Sequence, residues 1–422
     1  MSTDETTETS RRRNKRNRSD DASLPPGAVA AVISTPPQPS DVSQLITKLI
    51  ATVATVIRLR AFSLSSVHPH DARRIVMARM MSLHKSISEK HIETGCTRYN
   101  RIQLPPDITA DTTAAKVLMN PKMFFSLTRL KPKEFLHLYS VLAPGIRSAR
   151  NSDIIDSSHS RDYVHQKLHV ADQLLIWFLM SDGNNPTLLA LCFGYISRHT
   201  IARYADHVTD VINTILADEV TWPDADERKQ SYGLFGCCDT GIALLDGTHC
   251  RIRVPIDNES AYYSAYKKYH TQNYFIAVDA HGYILYISEP FPGRANDRGS
   301  FNTTPFGRSD CPYVSRNEYI IVDGGFPGDG PLLQPFRKPQ IRSEENDDIR
   351  QRMIMANESL SLDRALVEHS IHTLKNRAQS LANRYSRTRE RQALLMQAAA
   401  RIVNRVLMLR MSERTGIDIT DL

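Results

Sequence analysis

A chain of 422 residues, 41% hydrophobic and 23% charged, can bury a large core and has room for two domains and a tail, an ordinary soluble composition that by itself names no function. The formal net charge of +7 favours a polyanionic partner, nucleic acid first. The six cysteines form no Cys-x-x-Cys pair and no Cys/His zinc spacing, which predicts free thiols in a reducing intracellular compartment; no charged-then-apolar leader opens the chain, and no apolar run approaches the roughly 20 residues of a membrane span.

Residues 1–40 are rich in Ser, Thr, Asp, Pro and Arg and poor in bulky apolar side chains, so they predict a disordered tail that cannot repay the entropy of ordering. Within it Arg11, Arg12, Arg13, Lys15, Arg16 and Arg18 form a basic cluster. It suits a nuclear import signal, and hence a nuclear location, or a nonspecific phosphate-binding arm; the plainer alternative is a solvated charge run.

Residues 41–232 read as helical. From Asp41 to Arg60 the positions Val42, Leu45, Ile46, Leu49, Ile50, Val53, Val56 and Ile57 recur at helical spacing, and a second helix is predicted over Asp71 to Lys90. A connection over 91–115 leads to helical periodicity at Met119 to Leu142 and, after a polar insert near 148–163, at Leu168 to Met180. Asp182 to Pro186 break the run. A short helix from Thr187 to Cys192, a turn around Gly194, and Ser197 capping a helix through Leu216 then outline a helix-turn-helix over about 168–217. Arg198, His199 and Arg203 at the start of its second helix are candidate DNA contacts. The same outline also fits helices that merely pack.

From residue 233 the pattern becomes strand-like. Ile242 to Leu245, Asn273 to Val278 and Tyr283 to Ser288 are β-branched and aromatic runs, the last two joined by the turn sequence Asp279-Ala280-His281-Gly282. A short segment at Asn296 to Phe301 and the strand Tyr319 to Val322 follow. Beyond them the chain reads as helical to the end: a charged segment near 343–358, a helix from Ser361 to about Arg384 and a last helix from Arg387 to Met411. This order describes a mixed α/β, ribonuclease-H-like domain at 233–385 in which the first and fourth strands lie side by side. Residues 386–422 would pack on it or form an interface.

Asp246 follows the first apolar run, Asp323 the last, and Glu368 sits on the helix after them. Three convergent carboxylates repel one another unless cations join them, and hard divalent ions are their natural partners. Two Mg²⁺ or Mn²⁺ ions roughly 4 Å apart would activate water on one side of a phosphodiester and stabilise the leaving oxygen on the other; a DNA 3′-hydroxyl in place of water gives strand transfer. Each residue alone has a plainer reading, the aspartates as turn formers or caps and Glu368 as part of an exposed face with Arg364 and His372. Lys267, Lys268 and Arg298 are candidate phosphate contacts.

Asp246-Gly247-Thr248-His249, Tyr266-Lys267-Lys268 through His270 to Asn273, Pro292-Gly293 with Asn296-Asp297, Asp323-Gly324-Gly325-Phe326-Pro327 leading to Leu333 and Pro335, and Asn357 with Arg364, Val367-Glu368 and Leu374-Lys375-Asn376-Arg377 stand in one order. Over about 168–385 this set resembles the PIF/Harbinger superfamily of DDE transposases and their domesticated nuclease relatives. The resemblance implies that Asp246, Asp323 and Glu368 are the catalytic, metal-binding triad and that the preceding helical region holds the family's helix-turn-helix. It implies metal-dependent cleavage of double-stranded DNA at transposon ends and insertion into a target, by at least a dimer, with a separately encoded Myb-like protein as partner and no membrane involved. A domesticated DNA-binding or chromatin adaptor without cleavage activity is the second expectation. Where the family's pattern has a histidine this chain has Asn296, and Phe326 replaces a tyrosine; Asp297 is a fallback ligand or the cap of a short helix.

Overall fold

The computed structural model describes residues 102–148, 168–194, 196–307, 311, 313–326 and 330–415, within a compact unit spanning Asn100–Leu422. The predicted tail with its basic cluster Arg11 to Arg18, the helices predicted over 41–90 and the polar insert beyond Ser148 lie outside the described residues.

Seven helices precede the sheet among the described residues: α1 (Thr113–Leu118), α2 (Pro121–Thr128), α3 (Pro132–Ser148), α4 (Val170–Ser181), α5 (Pro186–Cys192), α6 (Arg198–Ile215) and α7 (Ala225–Lys229). The stretch expected as one helix over Met119 to Leu142 is two. Pro121 and Pro132 each open a helix, where a missing N–H does no harm, and Arg129 ends α2 in the left-handed region at φ 59°. Helix α4 is buried on nearly every side, and so reads apolar all round; its Trp177 donates Nε1–H to Thr209 of α6 at 2.9 Å. Asn185 and Ser197 cap α5 and α6, and Gly194 turns between them at φ 88°.

The sheet region holds β1 (Gly241–Arg251), α8 (Glu259–Tyr262), β2 (Tyr263–Ser264), β3 (Tyr269–Val278), β4 (Ile284–Ile287), β5 (Phe291–Pro292), α9 (Asp297–Phe301), β6 (Tyr319–Ile321) and β7 (Leu332–Leu333). The strand order is β2-β3-β1-β6-β7, with β4 and β5 also paired to β3. Strand β1 is antiparallel to β3 and parallel to β6, and β6 is parallel to β7. In the β3–β4 turn the Asp279 carboxylate accepts the N–H groups of His281 and Tyr283 at 2.8 Å, with Gly282 at φ 84°.

One expectation changes here. Asp246 does not end its strand: β1 runs five residues further, and Asp246 pairs with Ile276 in its interior. Asp-Gly-Thr reads locally as a turn, but Gly247, Thr248, His249 and Cys250 continue the ladder opposite Phe275, Tyr274, Asn273 and Gln272, and a closed ladder outweighs a local turn preference.

After the sheet come α10 (Lys338–Ser343), α11 (Asp347–Arg377), α12 (Gln379–Ala382) and α13 (Arg389–Thr415). No described helix is long and apolar enough to cross a membrane. The alternation of β3 separates two cores: Tyr274, Ile276 and Val278 join a large cluster with α4, α6, α11 and α13, while Phe275 and Ala277 join Phe301, Phe306 and Phe326 on the other face. Helix α13 packs on α6, where Arg387 meets Asp206 at 2.6 Å and Arg391 meets Asp210 at 3.0 Å. It also closes the edge of β4. The fully buried Asn404 accepts the Ile284 N–H at 2.9 Å and donates to the Ile284 carbonyl at 2.8 Å, so that edge is closed to a further strand.

Candidate functional site

Strands β1 and β6 lie side by side, so their carboxylates stand on neighbouring parallel elements. Leu244 and Cys250 of β1 join the core cluster that holds Val367 and Leu374 of α11; Asp246 shares their strand parity and therefore the sheet face that α11 covers. Asp323 follows β6 by two residues and accepts the Gly325 N–H at 2.8 Å. On α11, Glu368 is 60% exposed and meets the Arg364 guanidinium, one turn earlier, at 3.5 Å.

Asp246 carries the electrostatic signature of this juxtaposition. Burial pushes its carboxyl up to about 6; the Gly247 N–H, bonded at 2.7 Å, and the Arg364 guanidinium pull it down, while Asp323 and Glu368 push it up. Asp246 therefore feels the charge of both other carboxylates. The three are not drawn in as tightly as metal ligands: among the described residues no group of three or more His, Cys, Asp or Glu side chains is close enough to hold an ion. As a donor set they fit a hard divalent cation, because three carboxylates beside the Arg364 guanidinium leave negative charge around a largely buried Asp246. Asp246 and Asp323, with Glu368 swung from Arg364, would hold it.

The other motif residues hold this arrangement together. Lys375 of α11 donates to the His249 carbonyl of β1 at 2.8 Å, and the buried Arg377 donates to the Thr128 carbonyl at 2.9 Å. Asn357 grips the backbone of Phe336, accepting its N–H at 2.8 Å and donating to its carbonyl at 2.9 Å. At Gly293 a Cβ would come within 2.4 Å of the Tyr262 carbonyl and 2.3 Å of Thr271 Oγ1, so no other residue fits there. Arg364 reaches further than its spacing from Glu368 implies: from α11 its guanidinium also pulls on Asp246 of the sheet face below, an effect that no local spacing reveals.

Asp297 opens α9, but the capping side chain is Asn296, whose Oδ1 accepts the Gly299 N–H at 2.6 Å; the residue before the helix has the geometry for that bond. Arg298 lies on the same short helix. Arg198, His199 and Arg203 are exposed on α6, in the helical layer and apart from the triad. Lys267 and Lys268 lie between β2 and β3, beyond the far end of β1.

Neither the curated proteins nor the solved structures compared with the chain gave a match. Residues 245–408 match a family model described as DDE superfamily endonuclease, a span that takes in Asp246, Asp323 and Glu368. A nuclease domain of that kind has DNA as its substrate, and the match supports a DDE transposase-like family for this chain.

Proposed function

We propose that the chain is a DDE transposase of the PIF/Harbinger kind, a ribonuclease-H-like nuclease that cuts double-stranded DNA at transposon ends and joins the 3′-hydroxyl ends to a target. The observation that carries this reading is the adjacency of parallel β1 and β6, with Asp246 in β1 and Asp323 two residues past β6, beside the α11 that bears Glu368, all three carboxylates inside the matched span. Two Mg²⁺ or Mn²⁺ ions, when bound, supply the positive charge that activates the attacking oxygen and stabilises the leaving one. The chain's part is to hold the three carboxylates where β1 passes the end of β6 beside α11. The ladder fixes the backbone at Asp246, the Gly247 N–H binds one of its oxygens, and Arg364 keeps Glu368 in reserve beside the site.

The reading extends to a helix-turn-helix built from α5 and α6, to nuclear import through Arg11 to Arg18, to a Myb-like partner and to at least a dimer, since two ends must be brought together. Arg364 favours a second reading: its guanidinium already offsets part of the triad's charge, as a DNA-binding adaptor without cleavage activity would need. Incubation with a transposon-end duplex and Mg²⁺ or Mn²⁺ separates the two. Cutting that persists in Asp246→Asn or Glu368→Gln sinks the proposed site, and a wild type that never cuts, even with the Myb-like partner, supports the adaptor. Deleting Arg11 to Arg18 should impair nuclear accumulation; unchanged import would refute that role.

A further inference from the structure

Basic side chains on a surface are usually mobile and solvated, but at the far end of β1 three of them are parked on aromatic rings. The Arg251 guanidinium lies 4.8 Å from the Tyr269 ring centre, the Lys267 ammonium 4.8 Å from Tyr266, and the Arg389 guanidinium 4.4 Å from Tyr262. The backbone makes them neighbours. Tyr263 and Ser264 pair with His270 and Tyr269, while the segment before α13 lies along the end of β1, Tyr385 donating to the Arg251 carbonyl and accepting the Arg253 N–H, both at 3.0 Å. Tyr266, at the hairpin tip, is 83% exposed, and Lys268 beside it sits at φ 60°, a left-handed position unusual for lysine. Exposed Arg384 adjoins Tyr385. Three carboxylates belong to the same surface, Asp257 on Arg389 at 2.9 Å, Glu259 near His270 at 3.2 Å and exposed Glu390 beside Arg389; against Arg251, Lys267, Lys268, Arg384 and Arg389 they leave it net positive.

We infer that this surface, with Arg251, Lys267, Lys268, Arg384 and Arg389, grips the sugar-phosphate backbone of duplex DNA at a distance from the carboxylates. Each ring–cation contact contributes about 0.5–1 kcal/mol at an exposed site, which fixes the cation before DNA arrives and lowers the entropy lost on binding. Asp246 and Arg251 are five residues apart on one strand, about 17 Å at the usual rise. With base pairs rising about 3.4 Å along the duplex axis, the grip falls roughly five base pairs from the bond held at the triad. The inference rests on the nuclease reading for which DNA is held, but not for whether DNA binds.

The test uses the full chain, a fluorescently labelled 30-base-pair duplex and no divalent metal, so that cleavage plays no part. Anisotropy titrations across a salt series should show the Lys267→Gln/Lys268→Gln/Arg384→Gln variant losing on the order of tenfold or more in affinity, with the salt slope lower by roughly 2 to 3. The triple variant Lys116→Gln/Lys122→Gln/Lys131→Gln removes as much charge from exposed helical-layer positions and should bind like wild type. Tyr266→Leu, which keeps every charge, should weaken binding about threefold, and Tyr266→Phe should restore it. Equal losses in the two triple variants, or wild-type binding by Tyr266→Leu, would overturn the inference. A protein that binds as described yet cuts no DNA with Mg²⁺ or Mn²⁺ leaves the grip standing and removes the nuclease reading.

Discussion

Asp172 in the helical layer and Asp246 in the sheet are both aspartates whose carboxyls burial pushes upward. Their surroundings differ in kind. Asp172, 5% exposed, is met by the N–H groups of Ala114, at 2.7 Å, and Thr113, while Thr112 takes the Ala115 N–H; together they satisfy donors that the first turn of α1 would otherwise leave unpaired. Asp246 receives one N–H, from Gly247, and is faced by two further carboxylates as well as by Arg364. A buried charge that the fold fully satisfies is structural. One that the fold leaves in want of positive charge marks a place where something else is meant to bind.

The sharpest test of that contrast is Asp246→Asn. Cleavage should fall by at least about a thousandfold, roughly 4 kcal/mol of barrier, while the melting temperature holds or rises, because the change removes desolvation and repulsion rather than a needed bond. A clear drop in melting temperature would put Asp246 in the same class as Asp172. Glu318 extends the contrast within the sheet region. Burial alone would raise its carboxyl, but bonds from the Ser315 N–H, Arg228 and Tyr232, at 2.7, 2.9 and 3.0 Å, hold it below its ordinary 4.5. A depressed folded value means stability that is fully present above pH 4.5 and is lost as the pH falls through the folded value. Glu318→Gln should cost about 3 kcal/mol, since it leaves the buried Arg228 uncompensated, and a urea-melt series run downward from pH 7 should find the wild type's excess stability over the variant unchanged above pH 4.5 and shrinking only below it.

Much of this architecture could be read from residue patterns, because period and punctuation agree with the tertiary context. The apolar run of α4, the Ser197 cap and the Asp279 to Gly282 turn specify their elements locally. Errors arose where a side chain found a distant partner. Ser361 reads as the start of a helix, yet α11 opens at Asp347 behind the Asn346 cap and runs unbroken through 31 residues to Arg377, with Asn357 bonded to the Phe336 backbone. Asp246-Gly247 looks like a turn until β3 lies alongside. In the candidate site the carboxylates stood out by their place after apolar runs and by family resemblance. The action of Arg364 on Asp246 needs the packing of α11 over β1, which no local spacing encodes.

In the helical layer Asp172→Ala should cost about 2–3 kcal/mol by leaving the Ala114 and Thr113 N–H groups buried and unpaired, read as a fall of several degrees in thermal melting with the metal response intact. That response is the smallest of the expected effects and the most discriminating. A cation that binds the folded chain alone stabilises it by RT ln(1 + [L]/Kd), about 1.4 kcal/mol at ten times Kd. Wild type should therefore gain several degrees as Mn²⁺ is titrated in, and Asp172→Ala should gain as much from its lower start. Asp246→Asn and Glu368→Gln should gain little. The Glu368 variant matters most, because its carboxylate is exposed and paired with Arg364 rather than drawn in toward Asp246. If Glu368→Gln responds to Mn²⁺ as fully as wild type, the cation is held by the two aspartates alone and Glu368 belongs to the surface of α11. If the response vanishes, the helix has to deliver its carboxylate across the gap, and the Arg364 pair is the contact that must open for it to do so.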